Sequence, residues 1–170
     1  AGGGLTMASV TGADVITTLR GLHAGIAARG EEIEQTRHLP ADIAASLTRT
    51  GVFKLTIPKA IGGVEGTVLE LMTAIEEMAQ ADAATGWCVG VVHAHSWLMG
   101  LFPEAAQADA YGAAPDTIIS AVISPRGTAV PVAGGYRLNG FWPFCSGSEH
   151  AQFLLLGAAL QVIVAKQQRA

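Results

Sequence analysis

The chain has 170 residues, 50% of them hydrophobic and 14% charged, which is enough to bury a core and shows no sign of disorder. Ten Lys and Arg against 14 Asp and Glu leave a net charge of −4, and no basic cluster offers itself to nucleic acid or to an anionic membrane surface. No apolar run approaches the roughly 20 residues that a spanning helix needs, so no membrane insertion and a soluble protein are expected.

Ala1 to Thr6 have neither a basic start nor an apolar stretch and read as a remnant ahead of a native start at Met7. Without an export signal, the cytoplasm is the expected compartment. Val15, Leu19, Leu22, Ile26 and Ile33 recur at helical spacing and predict one amphipathic helix or two. Pro40 ahead of Ala41 to Thr50, with Gly51 after it, predicts a second, short helix whose buried stripe is Ile43, Ala44 and Leu47. Val52 to Pro58 reads as an extended segment followed by a glycine turn at Gly62-Gly63. Gly62-Gly63-Val64-Glu65-Gly66 is not a dinucleotide fingerprint, because that motif follows a strand and opens a helix within a βαβ unit. Thr67-Val68-Leu69-Glu70 is a capping-box sequence that opens a helix through Leu71, Ile75 and Met78, and Asp82 is placed to cap the next.

That next helix, about Ala83 to Met99, carries Trp87, His93, His95 and Trp97. At about 100° per residue, His95 lies about 80° from Trp87 and His93 about 120° away on the other side, so at most one of them shares the face of Trp87. A histidine on an Ala- and Val-rich helix is more often a hydrogen-bonded core residue than a catalytic one. His23, His38 and His150 read as peripheral, and with no second ligand at zinc-like spacing no metal site is expected. Cys88 and Cys145 lie far apart without a C-x-x-C spacing, and each is expected as a free, buried or half-buried thiol.

Pro103 to Tyr111 predicts a short helix and Gly112 to Asp116 a linker. Beyond it, Thr117 to Ile123, Thr128 to Val132, Tyr136 to Phe144 and Phe153 to Leu156 predict strands. Helices first and strands second is the α+β order, with residues 7–115 expected as a helical domain and 116–170 as part of a β domain. After a tight turn at Gly134-Gly135, the stretch Trp142-Pro143-Phe144-Cys145-Ser146-Gly147 sets a hydroxyl between aromatic neighbours and a flexible backbone. Such a segment could present Ser146 to a flat heterocycle; equally, it could be an edge turn in which Ser146 caps a backbone group.

The run Gly135 to Trp142, continued by Phe144, Ser146-Gly147, Glu149-His150-Ala151 and Leu154-Leu155-Leu156-Gly157-Ala158, resembles the acyl-CoA dehydrogenase fold superfamily. Within it the closer resemblance is to group D flavin-dependent monooxygenases, the oxygenase components of two-component aromatic hydroxylases. The helix ending at Gly51, the short hydrophobic segment, Pro58 and the Gly62-Gly63 loop share the resemblance. So do Gly86-Trp87 and the later Val92-His93-Ala94-His95-Ser96-Trp97, and Trp87, His95 and Ser146 stand in family order. The resemblance implies an N-terminal all-helical domain, part of a β-barrel-like middle domain, and no C-terminal helical bundle within these 170 residues.

It further implies that Ser146 lies near the N5 edge of reduced flavin, that His95 lies near the oxygen-reactive C4a position and the phenolic substrate, and that Trp87 walls the pocket. Ser120, Ser124 and Trp142 are expected as further flavin contacts, the two serines because the first β-domain strand there runs into a flavin-contacting loop. Acyl-CoA dehydrogenases favour Thr-Glu-Pro where this chain has Ile123-Ser124-Pro125, which speaks against a dehydrogenase. The implied function is an oxygenase component that takes reduced FMN or FAD from a separate flavin reductase and hydroxylates a phenolic or heteroaromatic substrate. The alternatives are an acyl-CoA dehydrogenase-like flavoprotein and a non-catalytic assembly module of the same fold. A β segment without its covering bundle leaves apolar surface and an open sheet edge, so a homo-oligomer is expected that buries Phe153 to Val164 and holds flavin weakly or not at all.

Overall fold

The computed structural model describes residues 10–112 and 116–161, and six helices precede a three-stranded mixed sheet in it. The expected start at Met7, the interior of the expected linker and the last residues of the expected Phe153-to-Val164 contact segment lie outside the described residues. The N-terminal amphipathic pattern divides into α1 (Gly12–Ala27) and α2 (Gly30–Thr36), followed by α3 (Ala41–Thr50), α4 (Val68–Ala81), α5 (Ala83–Met99) and α6 (Glu104–Tyr111). The capping box at α4 forms as the sequence predicts: Thr67 Oγ1 accepts the Glu70 N–H at 3.2 Å, and the Glu70 carboxylate accepts the Thr67 N–H at 2.7 Å. Thr11 and Asp14 make the same box at α1. No described helix is long and apolar enough to cross a membrane.

Val15 and Leu19 of α1, Leu47 of α3, Met78 of α4 and Val89 of α5 are fully buried in one cluster, each worth about 1.5–3 kcal/mol by removal from water. The approach of α4 to α5 is set by Gly86, where a Cβ would come within 2.6 Å of Ala79 Cα. Tyr111 fastens α6 to α5 by donating its hydroxyl to the Ser96 carbonyl at 3.1 Å.

Val52 to Pro58 is not extended. Gly51 turns left-handed at φ 83°, Val52–Lys54 form a turn of 3₁₀ helix, and the Val64 and Gly66 amides return to the Lys54 and Leu55 carbonyls at 3.0 and 2.7 Å. Its apolar residues Val52, Phe53, Leu55 and Ile57 are all buried, so a compact knot of backbone packs where a strand was expected. The chain returns so closely that a Cβ on Gly63 would stand 2.0 Å from the Ile57 carbonyl oxygen.

The first two expected strands are a single strand, β1 (Ile119–Val132), which lies between β2 (Gly135–Gly140) and β3 (Phe153–Leu160). β2 returns antiparallel through a turn in which Gly134 takes φ 80°, and β3 runs parallel to β1. Ser124-Pro125 does not end β1. It forms part of a bulge between Val122 and Gly127, which pair with Leu156 and Ala158 respectively. Gly157 opposite the bulge has no room for a side chain, since a Cβ there would sit 2.2 Å from the Ile123 carbonyl oxygen. Phe141 to Phe144 also departs from the expected strand: β2 stops at Gly140, and Phe144 takes a left-handed φ of 60° that a ladder does not accept.

Candidate active site

α5 carries the first half of the site. Asp82 caps it by accepting the Thr85 N–H at 2.7 Å, and Trp87 follows in the second turn, 65% exposed. The Trp87 indole N–H donates to Ser146 Oγ at 3.3 Å, which brings together two residues 59 positions apart. Gly147 makes that contact feasible: its φ of 78° suits glycine, and a Cβ there would fall 2.8 Å from Val92 Cγ2, so the loop lies directly on α5.

β1 supplies the second half. Ser120 is fully buried, and its hydroxyl donates to the Ser146 carbonyl at 2.6 Å while standing 3.3 Å from Cys145 Sγ. Ser120 is thus spent on holding the loop. The neighbouring Ile119 carbonyl faces His95, whose Nδ1 is buried without a partner at hydrogen-bonding distance. Burial pushes the His95 pKa below its ordinary value of 6.5, and the Ile119 carbonyl partly opposes that shift. With its pKa lowered the ring is uncharged at neutral pH, so one of its two nitrogens is an acceptor.

His93 occupies a different environment. It is buried in the helical core, with Nε2 2.8 Å from Thr56 Oγ1, and burial lowers its pKa. It therefore joins α5 to the backbone knot at Val52–Ile57, on the other side of the helix from the Ser146 loop. Ser124 is exposed on the β1 bulge. Trp142 is half-buried beside the same bulge: its indole N–H donates to the Gly157 carbonyl at 2.7 Å, and its ring lies where a Cβ of Gly127 would be, at 2.4 Å. The structure so gathers Trp87, His95, Ser120 and Ser146 at the junction of α5, β1 and the motif loop, and puts Ser124 and Trp142 together at the bulge.

A cleft of about 340 Å³ adjoins Ser146 and is lined by Ile33, Arg37, Leu39, Cys88 and Glu149 among others. Neither Trp87 nor His95 is in its wall. Cys88 and Cys145 are free and half-buried, and burial raises the Cys88 pKa with help from the Glu149 and Asp82 charges. Among the described residues, no three His, Cys, Asp or Glu side chains gather to hold a metal. Sequence reasoning missed the partners of His38 and His150. His38 Nδ1 bonds the Glu149 carboxylate, and His150 Nε2 lies 2.7 Å from the Leu39 carbonyl oxygen. Nothing local in the sequence signals contacts between residues 111 positions apart.

Residues 17–114 match the family of the acyl-CoA dehydrogenase N-terminal domain. The chain is 42% identical over 129 residues to the oxygenase component of an FADH2-dependent resorcinol hydroxylase from Rhizobium sp., an alignment covering 76% of this chain and 32% of that protein. Its fold superposes with a TM-score of 0.82 on the crystal structure of the HsaA monooxygenase from Mycobacterium tuberculosis, at 31% identity, over 89% of this chain and 41% of that one. The complex of TdsC from Paenibacillus sp. with FMN and indole gives a TM-score of 0.71 at 28% identity, over 86% and 39%. The chain therefore spans about a third to two fifths of the length of these relatives.

Proposed function

The chain belongs to the acyl-CoA dehydrogenase family through its N-terminal domain, and on that premise we propose that it is the front part of an oxygenase component of a two-component flavin monooxygenase. The substrate class is a phenol or a nitrogen or sulfur heteroaromatic, and the flavin is reduced FMN or FAD delivered by a separate reductase. The observation that carries this reading is the Trp87–Ser146 contact beside His95, built from two segments distant in sequence. The similarity to hydroxylases and monooxygenases supports it.

The residues suit the edge of a flat heterocycle. Ser146 Oγ accepts from the Trp87 indole and keeps its own proton and a second lone pair for a ligand, while the loop backbone is fixed by Ser120. Reduced flavin, when bound, supplies the electrons for oxygen activation. His95, neutral and with one ring nitrogen an acceptor, accepts the proton of a phenolic hydroxyl, and Trp87 shields the edge from water. Ser124 and Trp142 reach such a ligand only from the bulge side. All six residues of β2 are exposed, as are Phe141, Phe144 and Leu154, and further polypeptide or a second copy of the chain covers them in this reading.

Ser146→Ala tests the assignment. Removing one neutral hydrogen bond changes reduced-flavin affinity by no more than about tenfold. The natural gene product carrying it is expected to divert oxygen consumption from hydroxylated product to released hydrogen peroxide. Unchanged coupling with a large loss of affinity would make Ser146 a structural residue only.

A further inference from the structure

Ser146 is held from one side by Ser120, and the other side needs an anchor too. The segment that follows it, Ser148–His150, is a single 3₁₀ turn whose N-cap, Gly147, offers no side-chain bond. A turn this short has little stability of its own. What holds it is the linker between α2 and α3. The Glu149 carboxylate accepts from His38 Nδ1 and from the Leu39 N–H, the latter at 3.3 Å. His150 returns a bond from Nε2 to the Leu39 carbonyl at 2.7 Å; a carbonyl can only accept, so Nε2 carries the proton. That nitrogen also lies 3.3 Å from Glu149 Oε1.

Both backbone groups of Leu39 are thereby taken by two consecutive residues of the motif loop. Leu39 is a firm anchorage: its side chain is part of the helical core, and it stands between the left-handed Arg37 and Pro40 at the start of α3. We propose that Glu149 is a positioning residue, which through His38 and the Leu39 N–H locks the turn after Ser146 and so fixes Ser146 Oγ against the Trp87 indole. The consequence for catalysis rests on the reading of Ser146 given above, but the latch itself is a property of this chain alone.

The test uses the ¹⁵N-labelled chain and its three indole N–H resonances, assigned by single Trp→Phe substitutions. In Glu149→Ala the Trp87 resonance is expected to move to the position of a free, solvated indole, while the Trp142 resonance, whose N–H is bound to Gly157, stays in place. Glu149→Gln keeps an oxygen for the Leu39 N–H and is expected to restore most of the Trp87 shift. A Trp87 resonance unmoved in folded Glu149→Ala overturns the proposal. Should Glu149→Ala unfold, His38→Ala removes one bond of the latch and is read in the same way. Flavin binding does not enter the measurement, so failure of the functional reading and failure of the latch are told apart.

Discussion

His95→Ala in the natural gene product is expected to lower hydroxylation on the order of 10²-fold while leaving the fold intact, and His93→Ala to do the reverse. A side chain positioned to take a proton contributes on that scale. His95 is half-buried against the Ile119 carbonyl, beside the loop that Trp87 holds. His93 is enclosed in the core and bonded to Thr56, so its removal leaves a void and strips the Thr56 hydroxyl of its partner, at a cost of about 2 kcal/mol. Denaturant midpoints and product yield measured on both variants separate the roles; equal losses of activity at equal stability would contradict the assignment. A pH series adds a second readout. Burial holds the folded-state pKa of both rings below the ordinary 6.5, so in acid the unfolded chain binds protons that the folded chain does not. Stability is then fully present above about pH 6.5 and declines as pH falls below it, until the folded rings themselves protonate. His93→Ala is expected to flatten that decline.

Gly86→Ala is expected to destabilise the chain although it puts a better helix former into α5. Propensity alone favours Ala by about 1 kcal/mol in a helix interior. A methyl at Gly86 would, however, enter the backbone of α4 at Ala79, with contacts of 2.6 Å that demand a shift of one helix against the other. Overpacking of that kind costs about 1–3 kcal/mol, and contacts this short against backbone put it at the upper end, above the propensity gain. It would also displace Trp87, the next residue. Gly21 in α1 gives the matched control: nothing lies within 4 Å of a Cβ there, and Gly21→Ala is expected to raise stability by about 0.5–1 kcal/mol. Thermal unfolding of the two variants checks the contrast in sign.

The parts of the fold that were legible in the sequence rest on local chemistry. Thr67 with Glu70 and Asp82 with Thr85 act within one helical turn, so their residue types announce the helix starts. The separation of His93 from His95 follows from helical phase, but phase alone does not say which of them meets Trp87. Where distant backbone decides, the sequence misled. Val52–Ile57 has the apolar content of a strand, yet amides from Val64 and Gly66 fold it into a knot. Ser124-Pro125 has the look of a break, yet Gly157 admits the bulge that carries β1 through it. Of the candidate site, Trp87 and Ser146 stood out as residue types, whereas the buried Ser120 clamp and the Glu149–His38–Leu39 latch depend on pairings that no spacing encodes.

We propose that Ser146, held against Trp87, meets the reactive edge of a reduced flavin with His95 beside the aromatic substrate. The most direct measurement is a crystal structure of the natural gene product with reduced flavin and a phenol bound. Flavin N5 is expected within hydrogen-bonding distance of Ser146 Oγ and the phenol oxygen within that distance of a ring nitrogen of His95. A flavin bound with its N5 edge away from Ser146, or a phenol that His93 rather than His95 contacts, would contradict it.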